Sequence, residues 1–216
     1  MKKVINHKGW LTAILSIIPF FIFVSFFQGF GVGLSNVLGK RGIIDFDFDK
    51  YLEIEDMRDF LVADTIIQYF DLIGVLLLLW ILMRFVDKEP FINLGFSLKG
   101  KVNDIILGMT LGLLLMAVGY TILILLGEIK FIGFNYNLKN IILLFLLFIA
   151  VSIAEETYVR GYVLKNLLKS FNPIISLIIS SAIFSLLHFF NPNVNYIALT
   201  ELFIEGILLG ISYVYT

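Results

Sequence analysis

The chain of 216 residues contains no cysteine. Disulfides, thiolate metal sites and cysteine nucleophiles are therefore excluded. Charge is scarce: Asp, Glu, Lys and Arg make up 15% of the residues, against about a quarter in a soluble domain. The 16 basic and 17 acidic residues nearly cancel, to a net charge of −1, so no basic surface for nucleic acid is implied. Histidine occurs only at His7 and His188. What fills the chain instead is apolar. Hydrophobic residues reach 59%, with 22 Phe and 9 Tyr, and the mean hydropathy is +0.96. A disordered chain would be poor in such residues and rich in charge. The solvent that suits this composition is lipid.

A spanning helix needs about 20 mostly apolar residues. Six segments are expected to cross, at about Trp10–Leu38, Thr65–Phe85, Asp104–Leu126, Asn140–Ala154, Pro173–Phe190 and Tyr196–Tyr215. The fourth continues as helix through a polar stretch to Leu168. The expected fold is an all-α polytopic membrane helix bundle, one integral membrane domain over 1–216, with no internal repeat and no second soluble domain. The first segment has the basic start of a signal peptide (Lys2, Lys3, Lys8). Its apolar run is about twice a signal core, and no clear small-residue cleavage site follows, so a retained anchor helix is the better reading. With the N-terminus in the cytoplasm, ten of the 16 Lys and Arg fall on the cytoplasmic side, as the positive-inside rule asks. The composition fits a bacterial cytoplasmic membrane. The loop Gly39–Asp64 is acidic and lies outside on this orientation, with Asp45-Phe46-Asp47-Phe48-Asp49 at its centre.

An ionisable residue at the middle of a bilayer costs at least about 2.5–3.5 kcal/mol, so each one needs a reason. Those at membrane depth are Asp71, Glu155, Glu156, Arg160, His188, Glu201 and Glu205. The densest cluster is Ala154-Glu155-Glu156-Thr157-Tyr158-Val159-Arg160-Gly161. Glu156 and Arg160 are four apart on one helix face and can form an ion pair. Glu155 is rotated about 100° away, with no partner in its own helix. It is the free carboxylate, available as a base or a ligand. An ordinary interfacial helix end would show the same polarity. One segment later, Phe184 and His188 share a face, with Ser181 and Ser185 near the same stripe. Glutamate and histidine together can activate water, directly or through a bound metal. A divalent metal such as zinc is therefore a candidate cofactor, held by Glu155 and His188; a catalytic zinc normally takes three protein ligands. Glu201 and Glu205 form a like-charged pair. They are followed by Gly206-x-x-x-Gly210, a spacing that lets helices pack closely. Paired acids also permit a small transporter, but the inverted repeats and broken helix pairs of that class are missing.

Glu155-Glu156-x-x-x-Arg160, followed by Phe184-x-x-x-His188, resembles the first two motifs of the CPBP family, the CAAX-protease and bacteriocin-processing intramembrane proteases, also called the Abi family. Asn93-Leu94-Gly95-Phe96-Ser97 resembles its lead-in, and Phe203-x-x-Gly206-x-x-x-Gly210 its later helix, so the likeness runs from about residue 90 to Thr216. The resemblance implies an intramembrane endopeptidase of the type II CAAX prenyl endopeptidase kind. Its partners would be the lipid bilayer and a peptide or protein substrate, prenylated or a bacteriocin or signal precursor. It implies that Glu155 activates the water, that Glu156 and Arg160 support it, and that His188 holds the water, a metal or the developing oxyanion. Phe184, Gly206 and Gly210 would be packing residues. The family has been read both as metal-dependent and as glutamate-dependent without metal. It also implies a further helix with a His-x-x-x-Asn motif, which would begin about where Thr216 ends this sequence. The 216 residues are thus read either as part of a longer protein or as a short form. A short form suits a second function, a non-catalytic bacteriocin-immunity or membrane scaffold protein on the same fold.

Overall fold

The computed structural model describes residues 8–51, 60–97, 100–134, 136–189, 191 and 194–215. Lys2, Lys3 and His7, the acidic residues between 52 and 59, Phe190 and Thr216 lie outside the described residues. Described residues form helices and connections, with no strand among them.

The order is α1 (Gly9–Leu15), α2 (Ile17–Lys40), α3 (Phe48–Tyr51), α4 (Leu61–Ile81), α5 (Val102–Leu125), α6 (Leu138–Glu156), α7 (Lys165–Leu167), α8 (Pro173–Leu187) and α9 (Tyr196–Tyr215). A π-helical segment, Leu82–Asp87, extends α4, and a 3₁₀ turn, Phe91–Leu94, follows it. A second π segment, Thr157–Leu164, joins α6 to α7. Together these make five helices long and apolar enough to cross a membrane: Gly9–Lys40, Leu61–Asp87, Val102–Leu125, Leu138–Leu167 and Tyr196–Tyr215. The expected fifth crossing, Pro173–Phe190, is shorter than the sequence suggests. The helix stops at Leu187 after 15 residues, below the roughly 17–25 that a span needs.

Local chemistry explains the helix ends. Pro19 has no N–H to give the Leu15 carbonyl, and the first crossing is broken at Ser16, between α1 and α2. Asn172 accepts a hydrogen bond from the Ile175 amide, and Pro173 follows at the first helical position. That is an N-cap with a proline whose missing donor costs nothing.

Contacts divide the chain into two compact units. One is Phe96–Lys139, built on α5, whose 24 residues carry a single charge, Asp104. Asp104 is paired with Lys101 at 3.2 Å. The other unit combines Met1–Gly95 with Asn140–Thr216. Within it α2 packs on α4, with Gly31 against Ile67 and Gly74 against Phe27, so the two helices run antiparallel. At the loop end, Phe46, Phe60 and Ala63 form a small core with Ile44 and Tyr51. α8 packs on α9. The second π segment lies between these pairs, and all eight of its residues are buried. Tyr158 is fully buried there, stacked on Phe20 of α2 at 3.9 Å, and its hydroxyl meets Ser16 Oγ at 3.1 Å. Gly161 lies so close to the 3₁₀ turn that a Cβ would strike the Leu94 carbonyl.

A charged clamp closes the end of this unit where α1 begins. Glu89 is bound by both Lys165 and Lys169, and Lys169 also reaches Asp87 at 3.2 Å. The Trp10 amide donates to Ser170 Oγ at 3.1 Å nearby. Burial alone would raise the Glu89 carboxyl, but the hydrogen bonds from Lys165 and Lys169 bring it down to about 2. A carboxyl depressed in the folded state adds stability above its unfolded pKa, near 4.5, and that stability is lost as pH falls from there towards about 2. Glu89→Gln is therefore expected to lower the melting temperature at pH 6 and to make much less difference at pH 3. Thermal unfolding in detergent at the two pH values measures it, and an equal effect at both would remove the charge of Glu89 as the cause.

Candidate active site

The site lies where α6, its π extension and α8 meet a cavity walled by α2 and α4. Glu155 is in the last turn of α6, next to the change from α to π geometry. π segments inside helices are often found at functional positions. His188 caps the C-terminus of α8. Its Nδ1 lies 2.9 Å from the Phe184 carbonyl oxygen, one turn back. A carbonyl can only accept, so Nδ1 carries the hydrogen and Nε2 is turned outward. Nε2 lies 3.4 Å from Glu155 Oε1. With Nδ1–H committed, this contact is attractive only when one further proton is shared between the imidazole and the carboxyl. Two groups suited to moving a proton thus face each other from neighbouring helices.

Glu156 turns the other way. Its Oε1 is 3.1 Å from Arg160 Nη1. The N–H directions are not aligned on the oxygen, so the pair attracts by charge rather than as a hydrogen bond. Arg160 is buried, 3% exposed, while Glu156 is 42% exposed. The guanidinium lies over the Phe184 ring, 4.3 Å from its centre, a cation–π contact that gains from poor solvation. The same ring meets His188 edge to face at 4.9 Å. Phe184 therefore touches both Arg160 and His188 and sets the spacing between the ion pair and the imidazole. Ser185 secures α8 to α9 by donating to the Leu199 carbonyl at 2.7 Å.

Glu201 and Glu205 are exposed on α9. The charge of Glu205 acts on Glu156, Arg160 and His188. Gly206 and Gly210 are buried against α8. A Cβ on Gly206 would stand 2.9 Å from Ser181 Cβ, and one on Gly210 2.6 Å from Leu177 Cδ2. The first clash is the harder to relieve, because the Ser181 backbone lies 3.0 Å away. Gly206→Val is expected to push α9 off α8 and cost about 1–3 kcal/mol, the usual cost of overpacking. Gly206→Ala should fall lower on that scale. Unfolding of the two variants in mixed micelles gives the order, and equal stability for both would show that α8 and α9 separate freely.

The cavity in front of Glu155 and His188 has a volume of about 560 Å³. Tyr51 and Asp64 line one end of it and Val75 and Phe20 the other. Tyr51 is hydrogen-bonded to Asp64; burial, and then the Asp64 carboxylate, push its phenol up to about 12, so it keeps its proton to donate. Asp71 lines the cavity near Glu155, close enough for the two charges to interact. Sequence reasoning marked Asp71 as a costly charge without placing it at this site. It missed Gln28, Asp64 and Gln68. The spacing of Asp64, Gln68 and Asp71, four and three apart, was the signal that could have found them. Among the described residues no three His, Asp or Glu side chains are grouped to hold a metal ion.

Residues 137–216 match the sequence model of a family described as type II CAAX prenyl endopeptidase Rce1-like. This is the family that the Glu-Glu-x-x-x-Arg and Phe-x-x-x-His motifs resemble, and the matched stretch contains Glu155, Glu156, Arg160, Phe184 and His188. No curated protein and no solved structure matches the chain.

Proposed function

We propose that the chain is an intramembrane endopeptidase in which Glu155 activates the attacking water and His188 assists. The observation that carries this reading is the approach of His188 Nε2 to Glu155 Oε1 at 3.4 Å, on the wall of a membrane-depth cavity. The family match supports a peptide substrate of CAAX type. In this reading the Glu155 carboxylate takes a proton from water as its oxygen attacks the peptide carbonyl. The imidazole, protonated on both nitrogens, donates Nε2–H to the oxyanion that forms. Glu155 then passes its proton to the leaving amine, the C–N bond breaks, and both groups return to their starting state. Glu156, Arg160 and Phe184 hold the two helices in register and take no proton.

A zinc ion at this site would be held by Glu155 and His188. The donor set does not fit a catalytic zinc, which takes three protein ligands, because no third acid or histidine joins these two among the described residues. No step above passes through a metal. The enzyme would sit in a bacterial cytoplasmic membrane with its N-terminus in the cytoplasm, supported by the distribution of Lys and Arg.

The test is cleavage by the protein in liposomes, offered a farnesylated CAAX-type peptide and, separately, an unprenylated leader-type peptide, with products read by mass spectrometry. Cleavage of either that depends on Glu155 supports the reading, and the preferred peptide names the substrate class. Binding without cleavage would move the chain to the non-catalytic role.

A further inference from the structure

The two halves of α4 differ in exposure. Along Leu61–Ile81 the exposed residues are Ile73, Leu77 and Trp80, and none lies before Ile73. They are four and three apart, which places them on one face. Arg84, also exposed, continues that face four residues on. Ile73 and Arg84 are eleven residues apart in sequence, about 16 Å along the axis. Half the hydrocarbon core of a bilayer is about 15 Å. The strip is therefore one leaflet long, apolar along its length and basic at its end. Tryptophan marks the level of that end, because its ring favours the membrane–water interface. Trp80 lies one turn before Arg84, edge to face with Phe85 at 6.1 Å. Trp10, the other tryptophan of the chain, is bound through its amide to Ser170, beside the Glu89 clamp.

At that level the first π segment and the 3₁₀ turn border an open cleft of about 660 Å³. Trp80, Arg84, Phe85 and Lys88 line it from the helix, and Pro90 and Phe91 from the turn. Glu89 lines it too, but its carboxylate is held by Lys165 and Lys169. Neither Arg84 nor Lys88 takes part in an ion pair among the described residues. The cleft thus presents two cations that its own acid does not neutralise. Lys88 has a φ of 56°, the one left-handed residue other than glycine among those described. Glycine takes that conformation without the cost a side chain bears, so the backbone gains nothing from a lysine there. Cations at a helix C-terminus do suit its dipole, but the dipole accounts for neither the cleft between them nor the apolar strip that leads to it. We propose that the cleft binds the phosphate of an anionic glycerophospholipid, with Arg84 and Lys88 on its oxygens and one acyl chain along Trp80, Leu77 and Ile73. The guanidinium fork matches two phosphate oxygens, and the ammonium adds a point charge. Free phosphate offers the same oxygens but leaves the strip unused. The proposal does not depend on Glu155 being the base.

With only two tryptophans in the chain, Trp10→Phe leaves Trp80 as the sole indole and a reporter of the strip. The full chain with this change is placed in vesicles of phosphatidylcholine and phosphatidylglycerol, one of the two carrying brominated chains that quench indole on contact. Quenching at several lipid ratios gives the relative affinity of the two lipids for the strip. A basic side chain near the surface contributes about fivefold, so phosphatidylglycerol should be preferred by roughly 25-fold for the pair. Arg84→Gln combined with Lys88→Gly should bring the two lipids close to equal. No preference overturns the site. A preference that the double variant keeps overturns it as well, since it would then come from the diffuse charge of the whole face. Millimolar inorganic phosphate on both sides, at constant ionic strength, should leave the quenching unchanged. If it abolishes the preference, the site takes free phosphate and the lipid assignment falls. Lys88→Gly relieves a left-handed backbone, so its melting temperature in phosphatidylcholine alone should hold or rise. A fall there would make Lys88 structural and overturn its place on the phosphate. If the double variant does not fold, Lys88→Gly by itself should still lose about fivefold of the preference.

Discussion

Glu155→Gln is expected to lower kcat/KM for peptide cleavage by roughly 10²–10⁴-fold, the contribution usual for a positioned general base. Glutamine keeps the size and polarity of the side chain and loses the ability to take a proton. The fold should not notice. Glu155 is 36% exposed and its contact to His188, at 3.4 Å, is long, so little stability depends on it. The informative contrast is with its neighbour. Glu156→Gln removes the carboxylate that faces Arg160, a guanidinium buried to 3% exposure. That change should appear mainly as lost stability, with the chemical step less affected, because Glu156 points away from the cavity. Steady-state cleavage and thermal unfolding on the two variants separate the roles of these adjacent acids. If Glu155→Gln cleaved at the wild-type rate, Glu155 would not be the base.

The second large effect is structural. Tyr158→Ala is expected to destabilise the protein by about 3 kcal/mol, the low end of the cost of deleting a buried aromatic ring. The low end applies because lipid solvates the side chain in the unfolded reference as well, so the loss is mostly packing. Tyr158 is fully buried, stacked on Phe20 at 3.9 Å and in contact with Ser16. Its removal leaves a void between the N-terminal helices and the segment that follows Glu155. Tyr158→Phe keeps the stack and loses only the hydroxyl contact, at about 1 kcal/mol. Chemical denaturation in micelles gives both values. Equal costs for the two variants would mean that the hydroxyl, rather than the ring, holds the helices together.

Much of this was legible in the sequence, because lipid makes polarity informative. Each charge at depth asks for a reason, and Glu155, Glu156, Arg160 and His188 are adjacent in the structure. The i, i+4 rule pairs Glu156 with Arg160. The same rule leaves Glu155 without a partner in its own helix, and the partner it meets is His188 of α8. The helix bounds also follow from hydropathy, except at α8. There the apolar run continues beyond Leu187 while the helix does not. The π segment was not legible, since Thr157–Leu164 reads as ordinary helix and its widening depends on the neighbours that bury it. Nor was the Tyr158–Ser16 contact, which joins residues 142 apart. Nothing local to either residue points to the other.

The two walls of the cavity come from different stretches of the chain. Glu155 and His188, with Leu147, Phe148 and Phe184, lie within 137–216, the stretch that matches a family. Phe20, Gln28, Asp64, Gln68 and Asp71 lie outside it. The lining of the cavity is therefore written in two separate stretches of one molecule, with Glu155 and His188 in one and the facing wall in the other. A second chain could keep Glu155 and His188 unchanged and still hold a different guest, by altering residues that a comparison of motifs never reads.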